Sequence, residues 1–126
     1  MNKNGKAFIV LPDGFFYRPA DIELKKFIME ECFIKAIISL PEKTFYATSK
    51  KTYILSLVKK EQVDIKQNTP VFNAIAKTIG ETLDANRIKT SDNDLDFIVK
   101  EYKKFLTDEN GYKPDNLQIK VIPIKY

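Results

Sequence analysis

The chain has 126 residues, of which 44% are hydrophobic and 12% aromatic, enough apolar material for the core of one ordinary domain. Lys and Arg number 21 against 17 Asp and Glu, and the net charge of +4 is compatible with a nucleic-acid partner without demanding one. A lone Cys32 and the absence of histidine exclude disulfide frameworks, Cys/His zinc sites and Ser-His-Asp or Cys-His catalysis within the chain.

Residues 7–11, Ala-Phe-Ile-Val-Leu, are continuously apolar between Gly5 and Pro12. That pattern predicts a strand buried on both faces, as in a parallel sheet. Pro12, Asp13 and Gly14 follow as a turn, Asp supplying an acceptor and Gly a free backbone. Pro19, Asp21 and Glu23 then read as a helix start, with acids at the positive end of the dipole. The helix is expected to run to about Glu31, with Leu24, Phe27, Ile28 and Cys32 sharing an apolar face. Cys32 reads as a core residue, since no histidine is present to activate it.

Residues 34–40 predict a second strand, parallel to the first through the intervening helix. Residues 52–58 predict a third, joined to the second by about a dozen polar residues as an antiparallel hairpin with a long tip. Residues 70–80 continue as a strand and 82–91 as a loop. Residues 92–106 predict a helix with an Asp/Asn cap and an apolar stripe of Leu95, Ile98, Val99, Tyr102, Phe105 and Leu106. Asp92, Asp94 and Asp96 suit that helix start better than a metal, because the spaced glycine and terminal glutamate of an EF-hand loop are missing. Residues 117–124 close the chain as a strand, which Pro123 assigns to a sheet edge. No apolar run approaches the roughly 18 residues of a membrane helix, and the first four residues lack a signal-peptide core, so a cytoplasmic setting with no membrane partner is expected.

Taken in order, Gly5-Lys6 before an apolar strand, Val-Leu-Pro-Asp-Gly-Phe at 10–15, a helix ending near Glu31-Cys32, Ile34 to Pro41, Phe45, and Lys51-Thr52 before Ile54-Leu55 resemble the back half of the catalytic domain of adenine-N6 DNA methyltransferases. The resemblance is to modification subunits of type I restriction-modification systems and to fused restriction-modification enzymes. It covers residues 1–60 well and 71–105 more loosely. It implies an α/β fold: a partial Rossmann-like methyltransferase sheet, strand-helix-strand plus an antiparallel strand, with an additional helix and C-terminal strand. Residues 1–66 would form the methyltransferase-like part and 67–126 an appended segment packed in the same domain.

The resemblance also places the loop between the second and third strands near a flipped target adenine, with Phe45 as the matching aromatic and Tyr46 beside it to stack on the base. Lys43, Lys50 and Lys51 on this tip, with Lys59 and Lys60 at the far end of the strand, are candidates for DNA phosphates; a solvated lysine surface is the plainer alternative. The family commonly has a glycine two positions before Lys-Thr, where this chain has Ser49.

No Gly-x-Gly turn and no Pro-Pro pair occurs, so neither the family's S-adenosylmethionine cradle nor its Asn/Asp-Pro-Pro-aromatic tetrapeptide is present. The expectation is therefore a fragment or split part of such an enzyme, inactive alone, with no catalytic residue, cofactor-binding residue or metal ligand of its own. S-adenosylmethionine would belong to the complete enzyme. Its partners would be DNA, the missing N-terminal portion or other restriction-modification subunits, with a homodimer through an open sheet edge as a further possibility. The alternative is a stand-alone DNA- or protein-binding α/β module without catalysis.

Overall fold

In a computed structural model, which describes residues 3–16, 22–45, 50–84 and 86–124 (of Asp13 and Phe16 only the backbone), the apolar runs become strands of one mixed sheet. Strand β1 (Lys6–Pro12) runs into a 3-10 turn, Asp13–Phe16, and then helix α1 (Ile22–Glu31). Strands β2 (Cys32–Leu40), β3 (Thr52–Lys59) and β4 (Val71–Ile75) follow. A ribbon of β5 (Ile79–Glu81) and β6 (Lys89–Asn93) leads into helix α2 (Asp94–Thr107), and β7 (Ile119–Ile122) ends the fold. The main sheet has the order β1-β3-β2-β4-β7.

β1 and β2 run the same way, since each is antiparallel to β3, but they are not the neighbouring parallel pair expected from the sequence. β3 lies between them, with Leu55 opposite Ile9 on one side and Ile37 on the other. The chain returns from the β2 tip into the gap that the α1 crossover leaves, so β3 satisfies its backbone groups on both sides. The parallel pair of this sheet is β2 with β4.

β1 consequently stands at the edge, and its expected two-sided burial is not met: Phe8 is 66% exposed and Val10 52%. The helix stripe is also corrected. Cys32 opens β2 instead of closing α1, while Leu24 and Phe27 are exposed. Cys32 is buried as expected, and burial pushes its thiol pKa up despite Lys59 and Lys60 nearby, which keeps it un-ionised.

β2 carries a bulge between Ile34 and Ala36, so Ile34 and Ile37 share one face while Ala36, Ile38 and Leu40 take the other. The first face packs Cys32, Leu55 and Leu57 with Ile28 of α1. The second receives α2 through Ile98 and Phe105 around the fully buried Phe72. Rings of Tyr102, Phe105 and Tyr112 surround Phe72 at centroid distances of 5.3, 5.4 and 6.1 Å. Val99 and Leu106 of the expected stripe stay exposed. Glu101, between them, is buried and accepts from the Tyr112 hydroxyl at 3.0 Å. Burial and that carboxylate push the Tyr112 pKa up to about 12.

Residues 70–80 form two strands, broken after Ile75, and the expected loop 82–91 contributes its last residues to β6. A turn built on Asp84 explains this: its Oδ1 accepts from the Thr82 hydroxyl and from the Asn86 and Arg87 N–H groups, folding the chain back on itself. Gly80 in the ribbon has φ +85°, and a Cβ there would come within 2.8 Å of the Asn93 side chain. Asn93 caps α2, accepting from Leu95 N, as the Asp/Asn cap foresaw. Asp94 beside it accepts from the N–H groups of Lys77 and Thr78 and from the Gln118 amide, which ties ribbon, helix and β7 entry to one carboxylate. Pro123 follows β7 at the second sheet edge, as expected.

Substituting Gly80→Ala forces a left-handed conformation on a residue with a Cβ and displaces the cap, and should cost about 1–2 kcal/mol in urea unfolding. Burial raises the Asp94 pKa, but the hydrogen bonds outweigh it and hold the carboxyl below its ordinary range. Its stabilisation is present above the unfolded-state pKa and lost as pH falls through the lower folded value. Asp94→Asn should therefore cost about 1–3 kcal/mol at pH 7 and less and less below about pH 4, measured by denaturation across pH.

Candidate nucleic-acid interface

The tip between β2 and β3 comes off the sheet where the parallel strands β2 and β4 end, the side on which open α/β sheets bind ligands. Its described residues are anchored from within and from outside. Thr44 Oγ1 donates to Pro41 O at 2.7 Å, and Lys43 turns the chain at φ 62°. Arg87, from the turn between β5 and β6, reaches across to donate to the carbonyls of Thr44, at 3.1 Å, and Lys43. Its side chain is only 9% exposed and its guanidinium is also paired with Glu81. A planar fork of donors suits two successive carbonyls in a way that a lysine ammonium does not.

Of the residues expected at the target base, Phe45 lies just past this anchor and is 40% exposed, while Tyr46 falls outside the described residues. Lys43 and Lys50 are exposed on the tip. Lys51 is half-buried, its Nζ 5.8 Å from the centre of the Tyr53 ring. The basic cluster does not extend to the far end of β3. Lys59 pairs with Glu31, and Lys60 is 2% exposed with its Nζ donated to Met29 O at 3.0 Å and set against the Phe33 ring. These two lysines tie the end of β3 to the close of α1.

Two groups of residues near the tip were not legible in the sequence. Arg87 sits in a polar stretch, and nothing in its spacing announces a contact with residues 43 and 44. Ser39, Asn73 and Lys120 come from three strands and line one side of a cleft of about 250 Å³ with Lys51 and Tyr53. Gly80 and Gly111 are each packed against a side chain, Asn93 and Asp108. At the start of α2 the cap is Asn93, Asp94 and Asp96 lie in the first turn, and Asp94 ties the helix entry to the N–H groups of Lys77 and Thr78.

The sequence profile of the N-6 DNA Methylase family matches residues 1–121. The chain is 32% identical over 108 residues to the type I restriction enzyme MjaVIII methylase subunit of Methanocaldococcus jannaschii, an alignment covering 85% of this chain and 18% of that protein. In fold it is similar to the type I restriction enzyme EcoKI M protein, with a TM-score of 0.59 and 21% identity over 90% of this chain and 24% of that one. A second similar chain comes from a type I restriction-modification system studied for complex assembly and conformational transition, with a TM-score of 0.64 and 16% identity over 97% of this chain and 26% of that one. The chain thus spans about a fifth to a quarter of the length of these relatives.

Replacing Arg87 with Ala removes donors from two loop carbonyls and should release the tip. Tryptic cleavage after Lys43 is expected to accelerate several-fold, with a stability loss of about 1–3 kcal/mol by urea unfolding.

Proposed function

Because the chain belongs to the N-6 DNA Methylase family while spanning a minor part of its relatives, we propose that it supplies the far side of a DNA adenine-N6 methyltransferase sheet and transfers no methyl group by itself. The observation that carries this reading is the free edge of β1. Its run Phe8-Ile9-Val10 is exposed, and its outer backbone groups have no neighbouring strand among the described residues. Such an edge is a template for another strand, and native proteins seldom leave one apolar and open. Its occupant in this reading is the front portion of the same methyltransferase sheet, carried by another polypeptide segment in the cytoplasm.

In the assembled enzyme S-adenosylmethionine and the reacting groups belong to that front portion. This chain's own residues do three things. β1 completes the sheet, Phe45 offers a flat apolar face to the extruded adenine, and Lys43, Lys50 and Lys51 hold the flanking DNA by its phosphates. Arg87 fixes the tip so that Phe45 is presented in one place, which preserves the geometry that a positioned base requires.

The test is reconstitution. The chain is mixed with a separately produced polypeptide bearing the Gly-rich turn and the Asn/Asp-Pro-Pro-aromatic tetrapeptide, and methyl transfer from labelled S-adenosylmethionine to DNA adenine is followed. Neither component alone should be active, and the mixture should be. Val10→Lys should abolish assembly while leaving β3 pairing intact, and Phe45→Ala should lower the rate at saturating DNA about 10-fold or more, in line with a stacking contribution of ~1–3 kcal/mol. Methyl transfer by the isolated chain, or an inactive mixture in which the two proteins do bind, would overturn the proposal.

A further inference from the structure

A cleft opens on the α1 side of the sheet, beyond the reach of α1, where β2 and β4 end and β3 and β7 begin. We propose that it seats a backbone phosphate of the DNA strand held by the tip. The proposal rests on the DNA reading above and names a contact outside the tip.

Strand register builds the site. Ser39 lies opposite Tyr53 on one side and Ile75 on the other, Ile37 opposite Asn73, and Asn73 opposite Lys120, so all six side chains share one face at neighbouring positions. Ser39 is 6% exposed, yet its Oγ has no hydrogen-bond partner. A buried hydroxyl is nearly always paired, and the residue lines a cleft of about 250 Å³. Two lysines, Lys51 and Lys120, line the same cleft, and neither has a carboxylate partner among the described residues. Asn73 spends one amide hydrogen on Val71 O and keeps the other.

Asp94, linked to the cleft through the lining residue Gln118, is already occupied by two backbone N–H groups and the Gln118 amide. A hydroxyl, an amide N–H and two cations around an apolar floor match an anion with several acceptor oxygens and a carbon substituent. That is a phosphodiester. Lys51 follows Lys50 directly and belongs to both tip and cleft, so one strand of DNA running off the tip meets the cleft with its next phosphates.

Amide chemical shifts of the nitrogen-15-labelled full chain test this without any methyl transfer, so failure of the reconstitution and failure of this site are told apart. A thymidine dinucleotide with its single phosphodiester should shift the Ser39, Asn73 and Lys120 signals saturably. Its uncharged methylphosphonate analogue should not. Ser39→Ala and Lys120→Gln should each weaken that binding about 5-fold or more, whereas Lys89→Gln, on the exposed ribbon, should leave it unchanged. With a longer single strand, Lys120→Gln should reduce the slope of log affinity against log salt by about 0.7. Absence of saturable shifts with the dinucleotide overturns the proposal. So do equal shifts with the methylphosphonate, a Lys120→Gln slope equal to the parent's, or a response to inorganic phosphate but not to the dinucleotide, which would mark a free-anion site.

Discussion

Everything in this sheet depends on β3 being paired along both of its sides. The α1 crossover sets β1 and β2 down in the same direction with a gap one strand wide, and the returning chain fills it antiparallel to both. A strand in that position leaves no backbone donor or acceptor to solvent along its length, and it pins β2 so that β4 can pair on the far side. It also fixes the root of the tip, because the last residue of β2 and the first of β3, Leu40 and Thr52, are directly opposed. The tip therefore leaves the sheet at one defined place.

The two faces of the sheet are unequal. Opposite α1, Phe72, Ile98 and Phe105 are essentially sealed from solvent, and the aromatic rings around Phe72 give this half its rigidity. On the other face α1 contributes no fully buried residue, Ile28 providing its main contact, and the β4 and β7 end carries no helix among the described residues. The open cleft beside Ser39 and the exposed β1 edge both follow from this thin layer. An apolar edge and an uncovered face are costly for a chain alone and cost nothing where more protein or a ligand covers them.

The same carboxylate and guanidinium economy recurs at the ribbon. Asp94 joins β5's approach, α2 and β7, while Arg87 joins the ribbon turn to the tip. A mutationally small ribbon of eight strand residues, three in β5 and five in β6, thus links the helical half of the fold to the loop that carries Phe45. Local turn chemistry at Asp84 sets the conformation in which Arg87 can reach.

What the sequence determined by itself is whatever local chemistry encodes. Period and capping marked α2 to within two residues, the Asp92–Asp96 acids were placed at its entry, the β2–β3 hairpin with its long tip followed from two apolar runs around a polar stretch, and Pro123 marked an edge. The ordered motifs from Gly5 to Leu55 were enough to identify the family, because residue types at fixed spacing survive where overall identity does not. Only the tertiary structure decided which strands are neighbours, since the apolar pattern of β1 is the same whether its second neighbour is β2, β3 or an absent strand. It alone showed Lys60 to be buried, Arg87 to hold the tip, and Ser39 to share a cleft with Lys51 and Lys120. Those are contacts between residues distant in sequence, set by register and by which gaps the backbone leaves, and no local pattern carries that information.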